Sequence, residues 1–347
     1  MNQQVKDKAV PSIYLHAPLK RALNQCKGFA ELAEPGSIGT CIGPSGAGKS
    51  VLATMLGPEV YGKRDSWQSG TTPYVVVTAD NPDRGYFSTK ELTRSILSEL
   101  DDPFRTPPWQ LEAKGLERRL AEAVQIAGVS SLRNCTEPMM RAVIESIGPQ
   151  KRLSLIIVDE ANMLALSTRN RVPTDYLEGL RILGKKAGCK VLLFGTVELL
   201  LLGGYSAQFN RSEIRIHLNR MCCDDRAGRE EFASFLVKMS EKWNVDPSVV
   251  VKNVALMYDW TYGVPGEVEK RLKLAAIRSA GSSKAITWDD IRSSKPSREE
   301  IDRIRMEADI VQSVMDDVPL TIQQAKAIRR KRHPAMGAKR VNTGVAA

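Results

Sequence analysis

The sequence predicts an α/β fold, a parallel sheet with crossover helices followed by a small helical lid, and three observations carry that prediction. Short β-branched runs alternate with longer helical ones from about Ile38 to Thr196. The first run is separated from its helix by a glycine-rich loop, Gly43-Pro44-Ser45-Gly46-Ala47-Gly48-Lys49-Ser50. From Asp224 to Ala280 only helical periodicity remains.

The elements follow in order. SIGTCIG leads into the loop, and SVLATMLGPEV after it places Val51, Leu52, Met55 and Leu56 at helical spacing. TPYVVVTADN, bounded by Pro73 and Pro82, reads as a second strand, with a helix starting at Ser88. Residues 101 to 150 read as mostly helical, interrupted near Pro103 to Pro108 and again near Gly128 to Pro138. LSLIIVD is a third strand ending at Asp159, TDYLEGLRILGKKAG a helix stopped by Gly188, and KVLLFGT a strand ending at Thr196. No strand is expected beyond Thr196. ITWDDI, 286 to 291, closes the helical part, and KPSREEIDRIRMEADIVQSVMDD is expected to be an exposed, charged appendage. The domain boundaries that result are an extension over 1–35, an α/β core over 36–222, a helical lid over 223–294 and a charged helix with a flexible basic tail over 295–347.

With 347 residues, 42% of them hydrophobic, the chain can bury a substantial core. Its longest apolar stretches are interrupted and fall short of the roughly 20 residues a membrane span needs. No membrane is expected as a partner, and the polar start MNQQVKDKAVPS carries no secretion signal, which predicts a cytoplasmic protein. The six cysteines form no CxxC pair and are read as reduced thiols. A net charge of +10 points to a polyanionic partner. From Thr321 onward the basic residues Lys326, Arg329, Arg330, Lys331, Arg332, Lys339 and Arg340 meet no acid, so much of the excess lies in the tail.

The loop fits G-x-x-x-x-G-K-[ST], the Walker A or P-loop pattern, at every fixed position. Its glycines let successive backbone N–H groups face phosphates, and the following helix adds the positive end of its dipole. Gly43, Pro44, Ser45, Gly46, Ala47, Gly48, Lys49, Ser50 and Val51 are therefore the expected ATP-binding residues. Lys49 neutralises the β- and γ-phosphates and the Ser50 hydroxyl reaches Mg²⁺. LSLIIVDE is the matching Walker B pattern: a buried strand delivers Asp159 toward the magnesium and places Glu160 to polarise the attacking water. Thr196, ending the next strand, suits a sensor of the γ-phosphate. Arg211 and Arg220 are candidates for an arginine finger offered to a neighbouring subunit, with Arg215 a third.

Outside the Walker motifs, four stretches are similar to the AAA+ ATPases that regulate DNA transposition, the TniB/TnsC family, with the phage Mu B protein a more distant relative. They are PYVVVTADNPDRGYFSTKELTRSILSELDDP, VDEANMLAL, VLLFGTVELLLL with Gln208-Phe209-Asn210-Arg211 after it, and GVPGEVEKRLKLAAIRSA. The resemblance spans about Ile13 to Ile291. It implies an AAA+ ATPase whose homo-oligomers, rings or helical filaments, assemble with ATP on duplex DNA. Such an assembly recruits or activates a DDE transposase, works with a target-selector protein, and comes apart on hydrolysis. Two positions depart from the family pattern. Asn162 stands where a His is frequent, and Gly266 stands where many lids carry a sensor arginine, a role Lys270 or Arg271 one turn later would then take over. Expected DNA contacts are Arg105, Lys114, Arg118, Arg119, Arg133, Arg141, Lys151 and Arg152. The cluster Arg329 to Arg332 suits either DNA or the transposase. Other AAA+ roles, as a helicase loader, a secretion-associated motor or a nucleotide-gated switch, remain open on the sequence alone.

Overall fold

The computed structural model describes residues 14–79, 87–100, 135–166, 173–199, 213–279 and 286–316. Five strands, β1 (Ile38–Ile42), β2 (Tyr74–Thr78), β3 (Leu155–Asp159), β4 (Lys190–Gly195) and β5 (Glu213–His217), form one sheet in the order β2-β3-β4-β1-β5. Every pairing is parallel. A parallel sheet needs crossovers on its faces, and the helices supply them. Along α1 (Ala17–Leu32) and α2 (Lys49–Tyr61), Leu19, Phe29, Leu52 and Leu56 bury one face of the sheet with Cys41, Leu155, Ile157, Leu192 and Phe194. The alternate strand residues, Ile38, Ile42, Ile156, Val158, Val191 and Leu193, face α3 (Thr89–Glu99), α4 (Glu137–Gln150) and α5 (Pro173–Ala187). The period of two thus sends successive side chains into two separate cores.

β5 corrects the expectation that strands end at Thr196. It pairs with β1 along Ile38↔Glu213 to Ile42↔His217. Only Ile216 of its five side chains is fully buried, because β5 is an edge strand with one face on the core. Its charges made it resemble a basic loop, yet Glu213 accepts a hydrogen bond from Thr40 Oγ1 (2.7 Å) and pairs with Arg215 (2.9 Å).

Five helices follow: α6 (Arg226–Lys242), α7 (Pro247–Val251), α8 (Val254–Thr261), α9 (Pro265–Arg278) and α10 (Trp288–Ser293). They close on their own core of Phe232, Leu236, Met257, Trp260, Val268, Leu272 and Ile291. Trp288 stacks on Trp260 with ring centres 5.7 Å apart. The last described helix, α11 (Arg298–Met315), corrects the expectation that this charged helix is exposed. Ala308, Ile310 and Val311 are buried, the last two in the same core as β3 and β4. The apolar stripe Ile301, Ile304, Ala308, Val311 and Met315 has the spacing of a packed helix, which the density of charges around it obscured. The basic tail after it lies outside the described residues. Among the described residues, no helix is long and apolar enough to cross a membrane.

α1 is capped by His16, whose Nδ1 accepts the Leu19 N–H (3.3 Å). Burial pushes this imidazole down to about 4 from its ordinary 6.5. The unfolded chain therefore takes up a proton that the folded chain refuses. This contribution to stability is whole above pH 6.5 and drains away as pH falls toward 4. His16→Asn keeps a capping acceptor without the titration. Its melting temperature should depend less on pH across that interval than that of the unchanged protein, and equal slopes would refute the assignment.

Candidate nucleotide-binding site

The site is built where the strands end. The register sets Ile42 opposite Gly195 and Thr78 opposite Asp159, so the loop after β1, Thr196 after β4 and Asp159 at the tip of β3 share the carboxyl edge of the sheet. β4 stands between β1 and β3, which puts Thr196 between the loop and the acidic pair. This edge is where parallel sheets bind ligands, because helix N-termini converge there.

The loop owes its shape to Gly46 (φ +79°) and Gly48 (φ +104°), both in the left-handed region that strains other residues. α2 begins directly at Lys49, so Lys49, Ser50 and Val51 form its first turn, where N–H groups lack intrahelical acceptors. That array, with the helix dipole behind it, fits a chain of phosphates. Lys49 is only 7% exposed, and its Nζ donates to the carbonyls of Gly43 (3.0 Å) and Pro44 (2.8 Å). Burial lowers its pKa, opposed by the nearby carboxylates of Glu307, Glu160 and Asp159. The ammonium therefore feels both strand-end acids without pairing directly with either. Ser50 is exposed, leaving its hydroxyl accessible. Among the described residues no group of three or more His, Cys, Asp or Glu side chains gathers into a metal cage. A magnesium ion at Ser50 and Asp159 would take its remaining oxygens from phosphate and water, as this small cation commonly does.

Asp159 Oδ1 accepts the N–H of Glu160 (2.9 Å). Glu160 itself is left-handed at φ +52°, turning the chain sharply as it leaves β3. The short helix 161–166 then packs over the end of β4, with the backbone N of Asn162 close against Gly195. Asn162 Oδ1 is buried without a hydrogen-bond partner. The Thr196 hydroxyl donates to the Glu198 carboxylate.

The lid meets the loop through backbone. Gly266 N–H, in the first turn of α9, donates to Gly46 C=O (2.8 Å). A Cβ on Gly266 would lie 2.8 Å from Gly46 Cα and 2.9 Å from its oxygen. The departure from the family pattern at 266 thus has a steric cause: an arginine there has no room. Nor does Arg271 act as its substitute in this arrangement, because it is buried and tied to Ser294 C=O (2.7 Å) and Glu267 (2.9 Å). Lys270 reaches Glu300 (3.3 Å) instead.

Of the arginine-finger candidates, Arg211 lies outside the described residues. Arg220 is engaged within its own chain: it donates to the Tyr258 hydroxyl (2.6 Å) and stacks 3.8 Å above the centre of the Tyr262 ring. Arg215 sits on the edge strand β5. Among the expected DNA contacts, Arg105, Lys114, Arg118, Arg119 and Arg133 also lie outside the described residues. Arg141 pairs with Glu137 and lies over Tyr176, which makes it a packing residue. Lys151 and Arg152 precede β3, so they occupy the sheet edge opposite the loop. Reading the sequence alone missed Glu307, whose Oε1 accepts the Ser45 N–H (2.9 Å) inside the loop itself.

Residues 33–202 match the family model described as AAA domain. No curated protein matches the chain. Among solved structures, the Walker-type ATPase of Pyrococcus abyssi is similar with a TM-score of 0.51 and 13% identity, over 91% of this chain and 88% of that one. Drosophila ORC bound to DNA is similar with a TM-score of 0.50 and 10% identity, over 92% of this chain and 74% of that one.

The Gly46–Gly266 contact sets a test of the lid. Gly266→Ala should move the denaturation midpoint down by an amount worth about 1–3 kcal/mol, the usual cost of overpacking. An unchanged midpoint in chemical unfolding would mean that the two backbones have slack between them.

Proposed function

Starting from a P-loop NTPase fold of the AAA type, we propose that this protein is an ATP-hydrolysing regulator of DNA transposition. It assembles as a homo-oligomer on duplex DNA and recruits or activates a DDE transposase there. The observation that carries the ATPase part is the convergence on one sheet edge of a positive-φ glycine loop, the buried Lys49 and the two acids whose field that lysine feels. Bound magnesium supplies charge neutralisation at the phosphates, held by Ser50 and Asp159. Lys49 balances charge on the β- and γ-phosphates, Glu160 accepts the proton of the attacking water, and Thr196 orients it after leaving Glu198. Arg211, just ahead of β5, is the finger we assign to a neighbouring subunit, since Arg220 is held by lid tyrosines.

Support for DNA as the polyanion comes from the net charge of +10 and from the concentration of basic residues in the tail. Drosophila ORC, which shares the fold, is bound to DNA in its structure. The transposition role rests on the four stretches similar to the TniB/TnsC family, and the helicase-loader, motor and switch readings stand as its competitors.

Two variants, set beside the unchanged protein, decide the matter. Lys49→Ala should lose magnesium-dependent nucleotide binding, and assembly with it. Glu160→Gln should bind ATP normally, hydrolyse it about 10²- to 10⁴-fold more slowly, and stay on DNA. Calorimetry, phosphate release and electron microscopy with duplex DNA read these outcomes. Hydrolysis by Glu160→Gln at the unchanged rate would remove Glu160 from its role. Duplex binding that ignores salt, or is absent, would remove DNA from the reading.

A further inference from the structure

α11 crosses the boundary between the α/β core and the lid, and it does so over the nucleotide loop. Its grip on the lid is mostly polar, with Ile301 packed against the lid core. Glu300 faces Lys270 (3.3 Å) and Arg271 (3.9 Å) of α9, Arg305 pairs with Asp259 of α8, and Asp309 accepts from the Tyr262 hydroxyl (2.8 Å). Its grip on the core is mostly apolar, through Ile310 and Val311, with Gln312 accepting from Asn219 in the linker to the lid. The helix is rigidly defined at its start by a capping box, Ser297 with Glu300. Between these two grips, at the turn that passes the loop, stands Glu307.

Glu307 does what a phosphate oxygen would do. Its Oε1 accepts the Ser45 backbone N–H at 2.9 Å, and among the carboxylates acting on Lys49 it has the largest effect, ahead of Glu160 and Asp159. An anion at a P-loop amide beside the P-loop lysine is the arrangement this loop chemistry favours. A triphosphate cannot use that amide while the carboxylate holds it.

We propose that α11 is an autoinhibitory strap, with Glu307 as an internal mimic of nucleotide phosphate that must withdraw before ATP is bound. This inference rests on the loop being the ATP site. The competition is unequal in a useful way. The carboxylate makes one charge-assisted hydrogen bond to the loop, whereas a magnesium triphosphate meets several amides and the lysine together, so nucleotide displaces the strap at an energetic cost. The apparent dissociation constant is then the intrinsic one divided by the fraction of molecules with the strap open. Whatever binds α11 outside the chain, or loosens its hold on Tyr262 and Asp259, raises that fraction and switches the site on.

The test uses the full-length protein and two variants, Glu307→Gln and Glu307→Ala. Magnesium with a non-hydrolysable ATP analogue, followed by calorimetry, should bind about tenfold more tightly to Glu307→Ala than to the unchanged protein, with Glu307→Gln between them. In the unchanged protein, saturating analogue should lower hydrogen-exchange protection of the α11 amides. Equal or weaker binding by both variants overturns the strap, as does α11 protection that nucleotide leaves the same or increases. If none of the three proteins binds nucleotide, the loop assignment fails and the strap with it. If all three bind alike, the loop assignment stands and only the strap falls.

Discussion

The contact on which this molecule depends is the approach of two glycine backbones, Gly46 in the loop after β1 and Gly266 at the start of α9. It joins the α/β core to the lid through main chain alone, so its geometry is independent of rotamers. The flanking backbone bond from Met221 N–H to Gly263 C=O holds the linker beside it. The lid has its own hydrophobic core, which includes Trp260 with Trp288 stacked on it, so its helices hold together independently of the sheet. Residues of the α/β core and of the helices after β5 thus meet at the loop.

Much of this was legible in the sequence, for reasons that differ from element to element. β1, β3 and β4 are near-continuous apolar runs because both faces of a parallel sheet are covered, and such runs are conspicuous. The loop was legible because its glycines answer a local backbone demand that few other residues meet. β5 was not, since an edge strand needs only one apolar face and its Glu213, Arg215 and His217 mask the alternation. The packing of α11 was hidden for a related reason: charges dominate its composition, and those charges turn out to face partners such as Tyr262 and Lys270 that lie far away in sequence.

Gly266 shows how a departure from a family pattern acquires meaning only in three dimensions. Read along the chain, it is a missing arginine. In the fold it is the residue that lets the lid reach the loop. Arg271, the nearest replacement by spacing, is buried and committed to Ser294 and Glu267, so it is not free to reach the loop. In this arrangement the lid meets the loop through backbone and not through a lid cation.

Glu160 carries a different kind of consequence. A glutamate in the left-handed region costs of order 1–3 kcal/mol that a glycine would not, and its neighbours on β3 hold it there. The position is thus one where the chain gives up thermodynamic robustness and keeps a carboxylate at the end of β3. Selection for heat tolerance alone would favour glycine at 160, and would remove that carboxylate in the same step.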